Sequence, residues 1–346
     1  MHRHWICSIR SYSPEKCRRL VFCSIALGEL YQEKHMTTDR LRKQPSGAVS
    51  VRDFGANGDG ISDDWNALQQ ALDSGTEAVW IPEGSYKVGS TLRVPSNRKL
   101  YAHENARVFL ADGAGADQSC FVIANADPVA GDANILIQGG IWDGNNAGNP
   151  RGEDHPFAYT GGLMDFSNVK GLTLRALTLQ DPEAYYIRIG ETRGFVVEHL
   201  SFRATRVRPN QDGVHLGGFC EDGIIRHLDA RGDRVTGDDL VALNADDNNT
   251  RAQNLGLKCG PIRRITIEDI SAESCHSFVR FLSVWSPIEE ISLSKVRGGC
   301  RYCAVNMDAY RGCLKPLASD PARLYPHGVG HIENVTCRDL RVYKGD

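Results

Sequence analysis

The sequence predicts an all-β fold: a single-stranded right-handed parallel β-helix, a solenoid of stacked short strands closed by an N-terminal helical cap. Three observations predict it. A short apolar pattern recurs through the 346-residue chain, and each copy is too short to bury its own apolar face, so neighbouring copies must stack to make a core. The copies alternate β-branched with polar residues between Gly and Asn turns. Long helical patterns are missing between them, which argues against leucine-rich and helical repeats of similar period.

Residues 1–47 stand apart. Met1 to His35 mixes Arg, Lys, Cys and His without periodicity. Its apolar stretch, Leu20 to Leu27, is short, lies far from the start and lacks a small-residue cleavage site, so no secretory signal is read there. Met36 is an alternative start. Residues 1–47 are therefore an irregular extension, and residues 48–346 the expected β-helix domain.

From Val49 the chain becomes regular. Asp53-Phe54-Gly55-Ala56-Asn57-Gly58-Asp59-Gly60 reads as a strand end and tight turn. Asp63 or Asp64 then caps a short helix, with Trp65, Leu68, Ala71 and Leu72 at helical spacing. That helix is placed to cover the open end of the solenoid. Ala78-Val79-Trp80-Ile81-Pro82 and Gly84-Ser85-Tyr86-Lys87-Val88 are strands broken by Pro and Gly. The repeat proper starts its copies at Gly171, Gly194, Gly223, Arg264, Glu290 and Asn334, at offsets of 23, 29, 41, 26 and 44 residues. The last copy ends a few residues before Asp346, so either the final coil is exposed or the chain continues beyond it.

Composition narrows the function. A net charge of −3 gives no electrostatic footprint for nucleic acid or an anionic membrane. No apolar run approaches the roughly 20 residues that span a bilayer. Eleven cysteines, scattered and odd in number, do not form a secreted disulfide framework and lean towards a reducing, cytoplasmic compartment. Cys300 and Cys303, with Cys313 nearby, make a lone CxxC, read as buried structural thiols. Oligomeric state is not readable.

Chemistry concentrates in two aspartate motifs. Asn210-Gln211-Asp212-Gly213 precedes Gly237-Asp238-Asp239, with Asp212 and Asp238 26 residues apart, about one coil. Stacking would bring three carboxylates onto one patch, where one pKa must rise while another stays low; that makes a general acid and a general base from one residue type. Either motif alone also fits ordinary turn chemistry. His215 either touches the site or is a surface histidine. Asp246-Asp247-Asn248-Asn249 reads as a solvated loop rather than a Ca²⁺ site. Trp285 either stacks on a sugar face or packs at a rim.

These residues resemble a known family. Asp53 to Asp64 and Ile81-Pro82-Glu83-Gly84-Ser85-Tyr86 resemble the N-terminal cap and first coil of pectin-degrading β-helix enzymes. Asn210-Gln211-Asp212-Gly213 and Gly237-Asp238-Asp239 are similar to the N-x-D-G and G-D-D motifs of the polygalacturonases, glycoside hydrolase family 28. The resemblance implies inverting hydrolysis of a glycosidic bond in pectin-type or related acidic glycan, without metal or cofactor. Asp238 would be the general acid, and Asp212 and Asp239 would hold and activate water. It also implies substrate contacts from Asn210, from Arg280 of a partial R-I-K motif (Arg280-Phe281-Leu282), and from Tyr310. The family's lysine is replaced by leucine, which leaves a neutral or differently decorated sugar open, and Lys258 is a candidate replacement charge. Its G-H-G motif is not found in the stretch Asn254 to Gly260. Two other classes remain: a Ca²⁺-dependent β-helix polysaccharide lyase, with an aspartate-held metal and an Arg or Lys base, and a non-catalytic glycan-binding β-helix.

Overall fold

The structure, a computed structural model, describes residues 42–116, 120–150, 162–246, 257–309 and 330–346. The alternative start at Met36 lies outside the described residues. Among the described residues nineteen strands form one continuous network, and neighbours one coil apart pair in parallel throughout. The chain is a right-handed parallel β-helix. No helix among the described residues is long and apolar enough to cross a membrane.

Successive coils superpose because the same strand positions carry inward apolar groups. One ladder runs Met164, Ile187, Val214, Val241 and Val279, and a second runs Phe166, Ile189, Leu216, Leu243 and Phe281. All ten side chains are fully buried, each contributing about 1.5–3 kcal/mol against conformational entropy. Alternation then turns the intervening row outward: Asp165, Arg188, His215, Ala242, Arg280 and Asn306 stand side by side across one face.

Each coil turns a corner at a left-handed residue. One corner is made by Asn97, Asn134, Gly171, Gly194, Asp222, Arg264, Glu290 and Asn334 in successive coils, all at positive φ. This row corrects the repeat register at one copy. The third copy begins at Asp222, not Gly223, because Gly223 pairs with Phe195 and Ile265 in the inward ladder. The intervals are therefore 28 and 42 residues rather than 29 and 41. Gly223 is small for a packing reason: a Cβ there would lie 2.1 Å from the Phe195 ring.

The N-terminal end is covered by the helix Trp65–Asp73, which buries Ala67, Leu68, Ala71 and Leu72. Of the two candidate caps, Asp63 reaches the first turn, its Oδ1 accepting from the Trp65 N–H at 3.0 Å. Asp64 occupies the cap position but turns its carboxylate back to accept from the N–H groups of Asn57 (2.6 Å) and Gly58 (3.0 Å). It thereby ties the glycine-rich turn to the helix start.

Cys300 stands beside Cys275 in the register, and both are buried. Burial pushes their thiols up, so they pack as small apolar groups. Cys313 lies outside the described residues.

Candidate active site

Three adjacent coils carry the site on the segments that lead into Val214–Leu216, Val241–Asn244 and the second half of Ile262–Leu282. The backbone ladder continues upstream of these strands. The Gly213 N–H donates to the Asp239 carbonyl (2.9 Å) and the His276 N–H to the Asp238 carbonyl (3.2 Å). Parallel neighbours lie about 4.8 Å apart, so Asp212, the Asp238-Asp239 pair and His276 stack on consecutive coils. Glycine is required at the turn into the pair: a Cβ on Gly237 would lie 2.0 Å from the Arg208 carbonyl oxygen.

The three carboxylates sit in unlike surroundings. Asp212 is buried, with Oδ2 2.6 Å from His215 Nδ1 and Oδ1 accepting from the Asp239 N–H at 3.2 Å. His215 is itself buried under the Tyr185 ring, 4.3 Å between centroids. Asp239 is 2% exposed, and its Oδ1 accepts no hydrogen bond. His276 Nδ1 stands 3.6 Å from that oxygen and 3.4 Å from Asp238 Oδ1. Asp238 is the partly open member; its Oδ2 accepts from Asn210 Nδ2 at 3.4 Å.

Burial, then repulsion from Asp212 and Asp239, pushes the Asp238 carboxyl up to about 7 against the opposing pull of His276 and Arg280. Asp238 thus keeps its proton up to near neutrality. The Asp239 carboxylate leads the causes that raise the His276 pKa, with burial opposing and the Asp238 charge adding to the rise.

Arg280 lies next to Ala242 in the outward row. Its Nη2 donates to Asp308 Oδ2 at 2.8 Å. Burial is the largest influence on it and acts downward, but Asp308 and Asp239 together outweigh it and raise its pKa. Arg188 makes a two-pronged contact with Asp165, at 2.8 and 3.1 Å. Arg301 reaches the backbone carbonyls of Ser274, Thr236 and Gly237, bracing the turn that carries Asp238.

The structure thus brings together Asn210, Asp212, His215, Asp238, Asp239 and Arg280. It does not bring Lys258 to the aspartates: its ammonium is exposed and held by Glu191 at 2.7 Å. Tyr310 lies outside the described residues. Three neighbours were not singled out from sequence: His276, Asp308, and Tyr302, whose ring stacks on the His276 imidazole at 5.2 Å and 13°. The coil beyond Gly237-Asp238-Asp239 is entered at Cys275-His276-Ser277, not at Asn254 to Gly260, and Arg280 is on that same coil. A histidine four residues before Arg280 was the available signal, obscured by the longer interval between coils. Asp246 is not a solvated loop residue. It is fully buried, and its Oδ2 accepts from the N–H groups of Val284, Trp285 and Ser286 at 2.7–2.8 Å; Asp247, Asn248 and Asn249 lie outside the described residues.

Residues 48–135 match the family described as "Rhamnogalacturonase A/epimerase, pectate lyase-like". Among curated proteins, the chain is 29% identical over 189 residues to the preneck appendage protein of Bacillus phage PZA, covering 52% of this chain and 21% of that protein. It is 24% identical over 255 residues to a polygalacturonase of Persea americana, covering 68% of this chain and 51% of that protein. Among solved structures, the family 28 exopolygalacturonase of Yersinia enterocolitica superposes with a TM-score of 0.60 at 17% identity, over 88% of this chain and 67% of that one. PfbA, a surface adhesin of Streptococcus pneumoniae, superposes with a TM-score of 0.55 at 16% identity, over 85% and 72%. The chain therefore has a pectin-lyase-like β-helix fold and is distantly related to polygalacturonases. It spans about a fifth of the phage protein and about half of the Persea americana polygalacturonase, and that kinship takes in appendage proteins and adhesins as well as enzymes.

Proposed function

We propose that this chain is a glycoside hydrolase of polygalacturonase type, cleaving a glycosidic bond in a pectin-type or related acidic glycan with inversion. The observation that carries the reading is the stacking of three carboxyls on adjacent coils, with the partly open Asp238 pushed up to about 7 beside the buried Asp212 and Asp239. Asp238 donates its proton to the glycosidic oxygen as the C–O bond breaks. Water attacks the anomeric carbon from the opposite face and gives its proton to Asp239 or Asp212, so one proton enters and one leaves the site per turnover. Asn210 and His276 orient the Asp238 carboxyl, and His215 fixes Asp212. Arg280 keeps N–H donors beyond the one given to Asp308 and offers them to a substrate oxygen.

Leu282 stands where the resembling motif has lysine and is fully buried, while Arg280 is already matched by Asp308. Both features favour a pectin-derived glycan with neutral or decorated sugars over plain polygalacturonate. They also favour the second reading, a glycan-binding β-helix without turnover. The test is product release from polygalacturonate and from pectin side-chain glycans, by wild type and Asp238→Asn, with and without chelator. Chelator-resistant reducing ends, lost in the variant and without ultraviolet absorbance, are the expected result. Chelator-sensitive absorbance would make the protein a lyase. Glycan binding without any product would make it a binding protein.

A further inference from the structure

We infer that Asp238, Asp239 and His276 form a reversible binding site for a divalent transition-metal ion such as Zn²⁺, in which the metal occupies the position of the reacting proton. Their donor atoms, two carboxylate oxygens and one imidazole nitrogen, all lie within 4.8 Å of one another. The geometry is tighter than that bound. Bonds of about 2.0–2.2 Å place the ligands of a tetrahedral ion about 3.3–3.6 Å apart. His276 Nδ1 lies 3.4 Å from Asp238 Oδ1 and 3.6 Å from Asp239 Oδ1, so an ion could bind with little movement of either edge.

A second observation points the same way. Asp239 Oδ1 is buried without a hydrogen bond, on a side chain 3% exposed. An unsatisfied buried carboxylate oxygen costs about 1–3 kcal/mol or more, which a bound cation would recover. Of the nearby cations, Arg280 is matched by Asp308 and the Arg301 guanidinium is spent on backbone carbonyls; His276 Nδ1 faces Asp239 Oδ1 at 3.6 Å, beyond hydrogen-bond distance, and a bound metal would take the place of its proton between them. Access is open on one side, because the His276 side chain is 41% exposed and Asp238 25%. The mixed imidazole and carboxylate donors suit Zn²⁺, Mn²⁺ or Co²⁺ better than Ca²⁺, which takes oxygen ligands in larger number.

Occupation would withdraw Asp238 from proton donation and so halt turnover; this consequence rests on the hydrolase reading, whereas the binding does not. The full chain is titrated with ZnCl₂ by calorimetry, and with CoCl₂ by visible absorption, alongside His276→Ala, Asp239→Asn and His331→Ala. The last variant controls for a second cluster, Glu289, His331 and Glu333. Expected is one saturable site, weakened at least about tenfold by loss of either ligand and unchanged in His331→Ala, with circular dichroism unaltered. Binding unchanged in both His276→Ala and Asp239→Asn, binding lost in His331→Ala, a Co²⁺ spectrum dominated by thiolate bands, or no binding at all would each overturn the inference. Zn²⁺ binding at this site without glycan turnover supports it while removing the hydrolase reading. Turnover indifferent to excess Zn²⁺, with no binding by calorimetry, removes it and leaves the hydrolase reading in place.

Discussion

Replacing Asp238 with asparagine should abolish turnover and at the same time stabilise the protein. In the folded chain the carboxyl titrates at about 7, against an ordinary value of 3.8. The folded state therefore holds this proton more tightly than the unfolded chain does. The contribution of Asp238 to wild-type stability must fall as pH rises from about 4 to about 7, and then level off. At about 1.4 kcal/mol for each tenfold change in proton affinity, the ionised carboxyl costs the fold about 4 kcal/mol above pH 7. Asparagine removes the charge but leaves a partly buried amide, and it forfeits attraction to His276 and Arg280. The net gain expected is about 2–4 kcal/mol. Urea unfolding of both proteins at intervals from pH 4 to pH 8.5 measures it. The curves should coincide near pH 4 and separate steadily towards pH 7, with the variant more stable. A variant less stable than wild type at pH 8, or a gap of equal size at pH 4 and pH 8, would refute the claim that burial and two carboxylates set the Asp238 proton.

Activity should follow the same proton, falling near 7 rather than near the 3.8 of an ordinary carboxylic acid. With Asp238 as donor, kcat/KM should decline about tenfold per pH step above roughly 7, and a rate that climbs from pH 6 to pH 9 would remove Asp238 from that role. Gly223→Ala should destabilise by about 1–3 kcal/mol by forcing a methyl into the Phe195 ring; Phe195→Leu in the same chain should recover part of it, and additivity of the two in urea unfolding would contradict the contact. Asp246→Ala should cost about 3 kcal/mol or more, since three N–H groups, two of them in buried bonds, lose their acceptor together. Asp246→Asn should recover part of that loss, and an alanine variant of wild-type stability would show that the turn at Val284 has other means of satisfaction.

The solenoid was legible because its determinants are local. Alternation and turn residues mark each strand, and parallel stacking needs only that successive copies share a period. The register was harder. The corner residue must be left-handed, and Gly171 and Gly194 advertise that openly. The later coils meet the same demand with Asp222, only weakly suggestive of it, and with Arg264 and Glu290, residue types that carry no such signal. Gly223 then invites alignment with the earlier glycines one position out of place, although its smallness answers the Phe195 ring one coil below. A glycine can record a backbone angle or a missing Cβ, and the sequence does not distinguish the two.

The site divides along the same line. Asp212, Asp238 and Asp239 were readable because two short motifs one coil apart fix their neighbours without further information. His276 was not, because the coil that carries it begins 38 residues after Asp238, and length between coils hides which residues share a face. Lys258 illustrates the converse: close in sequence to the expected coil, it is held by Glu191. Charge balance is still less local. Arg280 alone suggests an open cation for a uronate, and only the neighbouring coil reveals Asp308 against it. What a stacked fold writes into sequence is which side chains face outward. Which of those charges remain available depends on the coils above and below, and that pairing decides whether the cleft presents a carboxylate-binding cation or a nearly neutral floor around one protonated aspartate.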